Sequence, residues 1–155
     1  MKRVVAIALF LLMLVGCASV SESEPSSVPE PTPPVEEVTM WIKEGTLNAE
    51  GCTVIVRDTY EEPCTFGEAF TLAYKVDGQW QDYPYARDPE EIVFHLLGYE
   101  VGPTQQMEIP VKWVWAYGEL GPGEYRLIKE YSTPDWQFGQ EKSQISVDFI
   151  IEAQA

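Results

Sequence analysis

The chain of 155 residues has little of what acid–base, nucleophilic or metal chemistry needs. It carries one histidine, His95, and three cysteines. A Ser-His-Asp triad would have to use His95, and no Gly-x-Ser-x-Gly elbow accompanies it. His95 sits inside the apolar run Val93–Leu97, where a structural role is the simpler reading. A catalytic zinc site asks for more His or Cys than this. There is no Gly-rich phosphate loop and no Asp-x-Asp-x-Asp-Gly calcium loop. Glu61-Glu62 and Glu90-Glu91 are adjacent acids, whereas glycosidase carboxylates face each other across a cleft. No catalytic residue, cofactor or metal is therefore expected. A small hydrolase around His95 stays as an alternative that needs a pocket and a neighbouring nucleophile.

Positive charge is also scarce. Ten Lys and Arg stand against 25 Asp and Glu, a net charge of −15. Such a chain repels nucleic acid and anionic lipid headgroups, which argues against both as partners. It suits a soluble exported surface or a cationic partner.

Long apolar runs are scarce as well. The one at Val4–Val15 follows Lys2-Arg3 and is too short for a span, which takes roughly 20 residues. Basic, apolar, then small residues is the export-signal pattern. Its end, Leu14-Val15-Gly16-Cys17, resembles the lipobox of bacterial lipoproteins. The resemblance implies a signal peptide over 1–16 and a thioether lipid, with palmitate-type acyl chains, on Cys17. The membrane would then be a partner through that lipid, each buried methylene contributing about 0.8 kcal/mol. An ordinary signal peptide with a chance cysteine, or a signal anchor, would read similarly. Removing the signal leaves 8 basic and 25 acidic residues, a charge of −17. The expected address is the cell membrane, on the extracytoplasmic side.

Residues 17–38 change character. Five of the twelve prolines fall here, with Ser and Glu between them. There is no apolar face to bury, so ordering entropy is not offset and a disordered tether is expected. A ligand for a proline-binding domain is the alternative. Residues 39–155 remain for one domain.

That domain reads with period two. Met107, Ile109, Val111, Trp113 and Trp115 alternate with Glu108, Pro110, Lys112 and Val114. Ile145, Val147, Phe149 and Ile151 do the same, as do Phe70, Leu72, Tyr74 and Val76. Cys52–Asp58 is rich in β-branched residues. One buried and one open face per strand means antiparallel sheet. Asp77-Gly78 between two such runs signals a two-residue hairpin. Pro110 needs an edge or a bulge. Asp88-Pro89-Glu90-Glu91 looks like a helix start, yet Ile92-Val93-Phe94 is strand-like. A strand over about Ile92–Val101 is the preferred reading, with a short helix as the alternative.

Leu120-Gly121-Pro122-Gly123-Glu124-Tyr125 predicts a sharp corner. In immunoglobulin-like sandwiches a Tyr there bonds its hydroxyl to upstream backbone. Pro122 would fix φ, and Gly123 would supply a positive φ if one is needed. The fuller stretch, Trp113-Val114-Trp115-Ala116-Tyr117-Gly118-Glu119-Leu120 running into Pro122–Glu130, resembles the signature of a bacterial Ig-like domain family. Phe66-Gly67-Glu68, Leu72 and Asp77-Gly78-Gln79-Trp80 resemble its earlier half. The resemblance implies an all-β, immunoglobulin-like antiparallel sandwich of about seven to eight strands. It also implies an exported, largely Gram-positive setting and no assigned catalytic residues.

Cys52 and Cys64 depart from that pattern. Export permits a disulfide, but a simple hairpin turning near Tyr60 would set Cys52 opposite about Ala69. A disulfide and two buried thiols both stay open. Trp136 and Phe138, in the turn-rich stretch between the last two strands, are candidate partner contacts, unless they fold back over the sandwich. Trp41, Trp80, Trp113 and Trp115 read as core or cross-strand residues. The sequence thus points to a monomeric, lipid-anchored, non-catalytic binding or structural module facing an unknown envelope protein or glycan. A peptidase inhibitor is the alternative, if loops 132–142 and 83–92 cluster at one end.

Overall fold

A computed structural model describes residues 37–153. The signal segment, Cys17 and the tether up to Glu36 lie outside the described residues. Nine strands follow in order: β1 (Val38–Ile42), β2 (Gly51–Asp58), β3 (Cys64–Gly67), β4 (Thr71–Val76), β5 (Gln79–Asp82), β6 (Gly98–Val101), β7 (Gln106–Lys112), β8 (Gly123–Ser132) and β9 (Ser143–Ile151). One helical turn, α1 (Val114–Tyr117), precedes β8. The fold is an all-β antiparallel sandwich, with nine strands where seven to eight were expected.

The first sheet runs β1-β2-β7. The second is built on β8. β9 pairs along one side of β8, from Gly123↔Ile151 to Tyr131↔Ser143. The other side is shared: β4 takes Tyr125–Ile128, and β3 takes Tyr131 and Ser132. β5 extends beyond β4, and β6 beyond β3. The alternation resolves as expected on both faces. Val54, Val56, Ile109 and Val111 are buried from one sheet, and Phe66, Leu72, Leu127 and Phe149 from the other. Each such side chain stabilises the fold by roughly 1.5–3 kcal/mol. Asp77 (φ 51°) and Gly78 (φ 80°) form the left-handed pair of a tight hairpin, joining Val76 to Gln79.

β7 is an edge strand, and Pro110 shows why that is tolerable. Trp113 donates its N–H to Glu50 O (3.0 Å), and Asp58 donates to Gln105 O (3.3 Å). Those bonds set the phase, so odd-numbered residues of β7 face β2 and Pro110 faces the open edge. Its missing donor interrupts no ladder.

Some expectations need correction. The strand predicted over Met107–Trp115 stops at Lys112, because Trp113 turns the chain into α1. The strand predicted over Ile92–Val101 is confined to Gly98–Val101. The helix signal just before it is real but short. Pro89–Glu91 forms a single 3₁₀ turn, whose cap is the Asp88 carboxylate accepting from Glu90 N at 3.0 Å. The folded part also starts before Thr39. β1 begins at Val38, and Glu37 already exchanges bonds with Thr59.

β2 and β3 do not pair as a hairpin. The chain crosses between sheets at Asp58, whose buried carboxylate accepts from Tyr60 N and Cys64 N, both at 2.8 Å. Cys52 therefore lies opposite Val111 in one sheet, and Cys64 opposite Val101 in the other. Both are buried thiols, and the disulfide considered from sequence is not formed. Burial pushes the Cys52 thiol up to about 12.

Candidate functional site

The corner motif carries folding chemistry throughout. Trp113 is fully buried, donates Nε1–H to Ala49 O (2.7 Å) and stacks on Phe149 at 5.3 Å. Phe149 stacks in turn on Tyr125 at 5.6 Å. Tyr117 is buried too, and its hydroxyl accepts from Leu72 N (3.3 Å). Burial, then the neighbouring Tyr85, raises its pKa. Gly118 holds φ 75° and ψ −175°, a conformation that only glycine adopts readily. Tyr125 donates its hydroxyl to Gly121 O at 2.9 Å.

Gly123 has a different part from the one the sequence suggested. The positive φ belongs to Gly118, not to Gly123. A Cβ at Gly123 would meet the Tyr125 ring at 3.3 Å, so glycine there makes room for the ring. Pro122 is exposed beside it.

A second structural device lies in the opposite half of the same sheet. β3 and β4 are one strand interrupted at Glu68–Phe70. The break leaves carbonyls without a ladder partner, and Lys129 of β8 fills the gap. Its fully buried ammonium donates to Gly67 O (2.9 Å), Glu68 O (3.3 Å) and Ala69 O (3.1 Å). Desolvation still costs the charged form, so its pKa is pushed down to about 8. Nothing in the spacing announced this, since Lys129 reads as one more polar residue in a strand.

The same break turns the Glu68 side chain outward. Its Oε2 lies 3.0 Å from His95 Nδ1, and Oε1 accepts from Tyr99 Oη at 3.3 Å. The hydrogen bond with His95 is the main cause that holds Glu68 below its ordinary carboxylate value. His95 is largely exposed. It belongs to Ile92–Leu97, a strap with neither helix nor strand. Ile92 and Phe94 are the strap's inward residues, both partly buried, and Phe94 lies at the groove. Phe94 meets Phe70 and Trp115 edge-on, each at 5.3 Å. Its neighbours point out: Val93 is 74% exposed, Leu97 57%, and Leu96 fully. Beside the strap lies an open, mainly apolar groove of about 460 Å³. Phe70, Phe94 and Trp115 line it, Ile109 and Val111 of β7 face them, and Glu68 and Lys112 contribute charge. The lining includes no Ser, Thr or Cys, so no hydroxyl or thiol of those types stands in the groove beside His95.

The sequence-predicted contacts lie elsewhere. Phe138 is 98% exposed at the β8–β9 connection. Trp136 is half-buried on its own loop, donating Nε1–H to Gln140 O (3.1 Å), with Lys142 Nζ 5.8 Å from its ring. They do not form one exposed pair. The loops required by the inhibitor alternative also fail to cluster. Tyr83 packs on Tyr125 near the start of β8, whereas residues 133–142 follow its end at Ser132. Seven residue steps of strand, Tyr125 to Ser132, separate the two, roughly 23 Å at about 3.3 Å each. Among the described residues, no group of three or more His, Cys, Asp or Glu is placed to hold a metal. Nor is any helix among them long and apolar enough to cross a membrane.

Two antiparallel sheets pinned by a tyrosine corner define the immunoglobulin-like class of sandwich. The chain belongs to the bacterial Ig-like domain family, whose profile matches residues 35–150. No curated protein and no solved structure matches it. Membership supports a non-catalytic binding or structural module.

Proposed function

We propose that this is a membrane-tethered, extracytoplasmic lipoprotein whose Ig-like domain is a non-catalytic binding module, with the groove beside the strap as its contact face. One observation carries the reading: in a chain of net charge −15, three neighbouring apolar side chains of the strap stand in solvent next to an open apolar groove. Apolar patches of this kind on soluble domains mark interaction sites. The anchor rests on the Leu14–Cys17 pattern, and the tether on the composition of residues 17–38.

The fully exposed Phe138 favours a second reading, in which the β8–β9 loop makes the contact. Envelope extract passed over immobilised wild type, Val93→Ser/Leu96→Ser and Phe138→Ser separates the two. Loss of capture in the strap variant alone supports the groove. Loss in Phe138→Ser alone moves the site to the loop, and retention in both rejects a binding role for either. Detergent partitioning of Cys17→Ser tests the anchor. The variant is expected in the aqueous phase, and its persistence in detergent would contradict lipidation at Cys17.

A further inference from the structure

Resting on that reading of the groove, we infer that its occupant is a cationic peptide segment, inserting one or two apolar side chains with Lys or Arg beside them. Size limits the insertion. At about 460 Å³ the groove lies at the small end of ligand pockets, which span roughly 300–1,000 Å³. That volume suits a large side chain, not an extended apolar interface. Its walls are aromatic at Phe70, Phe94 and Trp115, which suits an aromatic or aliphatic anchor and any cation beside it.

The mode of entry is also limited. β7 forms one wall and is an open edge, which would ordinarily invite an added strand. Pro110 faces that edge and removes a donor from it. The occupant therefore engages through side chains, with little main-chain pairing.

Charge selects the flanks. The stretch 86–100 that carries the strap holds Arg87 against Asp88, Glu90, Glu91 and Glu100. Glu68 adds a carboxylate in the wall, held ionised by His95. Lys112 is the one cation in the lining. The field of the whole chain, at −15, draws in cations and raises their association rate. It also disfavours the other two occupants: a second copy bears the same charge, and anionic lipid is repelled.

The test is a random-peptide display selection on the full chain in detergent, counter-selected on Val93→Ser/Leu96→Ser. Both substituted residues are exposed, so the variant is expected to fold. The expected consensus is a Leu, Phe or Trp with adjacent Lys or Arg. Selected peptides should bind the wild type at least tenfold tighter than the variant, and more weakly as salt rises. A neutral or acidic consensus, no enrichment, or equal binding to both proteins would overturn the inference. Two further arms look for the rejected occupants. Flotation of the Cys17→Ser chain with zwitterionic or anionic vesicles, or self-association in sedimentation velocity, would overturn it if abolished by the strap substitutions. Peptide selection can fail while envelope capture still depends on the strap. In that case the binding-module reading stands and only the cationic-peptide inference falls.

Discussion

The Trp113–Tyr125 corner and the Ile92–Leu97 strap are both irregular connections rich in apolar side chains, and they use them in opposite ways. At the corner Trp113, Tyr117, Leu120 and Tyr125 are buried, and Trp113 and Tyr125 donate to nearby carbonyls. In the strap Ile92 and Phe94 are partly buried against the core, while Val93, Leu96 and Leu97 remain in water. The physical difference lies in what each segment packs against. The corner closes the end of the sandwich, where both sheets offer apolar surface. The strap runs outside the β7 edge, where only the groove is available. An apolar side chain that stabilises nothing in the folded domain is the kind a partner uses.

The comparison breaks most readily at the corner. Trp113→Ala should cost about 3–5 kcal/mol, as truncating a packed aromatic leaves a cavity, and it also strands the Ala49 carbonyl. Urea unfolding measures this, and a loss under 1 kcal/mol would mean that the corner is no better packed than the strap.

Lys129, in the joint between the two regions, comes next. Lys129→Met leaves three carbonyls of the β3–β4 break without a donor and should cost about 2–4 kcal/mol at neutral pH. Its pH dependence has a definite sign. The folded pKa, near 8, lies below the ordinary lysine value of 10.5, so between those values the unfolded chain holds more protons. Lys129 thus adds stability as pH rises through that window, by up to about 3 kcal/mol. Cys52, whose folded pKa is raised, works against it above about 9. The clean readout is the difference between wild type and Lys129→Met, which should widen from pH 8 to 10. A difference that narrows would contradict a desolvated ammonium.

Tyr125→Phe removes only the hydroxyl bonded to Gly121 and should cost about 1–2 kcal/mol without changing the fold. A neutral result would reduce the corner to ring packing. Phe138→Ala should change stability by less than about 0.5 kcal/mol, since the ring is in solvent. A large fall in the midpoint would show a packed ring and remove that loop from the candidate surfaces.

How far the sequence could be read follows the same division. The corner was legible because its residues have fixed jobs at fixed spacing: a Trp, a Tyr-Gly and a Pro-Gly-x-Tyr. Strand alternation and the Asp77-Gly78 hairpin were legible for the same reason. The assignment of positive φ to Gly123 went astray because three glycines, Gly118, Gly121 and Gly123, were available and spacing alone does not choose among them. The β2–β3 crossing was missed because a turn-rich stretch between two strands reads equally as a hairpin or a change of sheet. Only Asp58, an acid ending a buried run, hinted at the crossing. The groove was the least legible part. Phe70, Phe94, Ile109 and Trp115 come from four separate segments, and Ile92–Val101 looks like strand because its residues are β-formers. Its one visible clue was an apolar run, Val93–Leu97, with no alternation to bury it.

The most direct measurement is the unfolding free energy of the Val93→Ser/Leu96→Ser double variant. If those side chains serve recognition and not the fold, stability should stay within about 0.5 kcal/mol of wild type, as for substitutions of exposed residues. A loss of 2 kcal/mol or more would show that the strap is packed like the corner, and the binding face proposed here would have no basis.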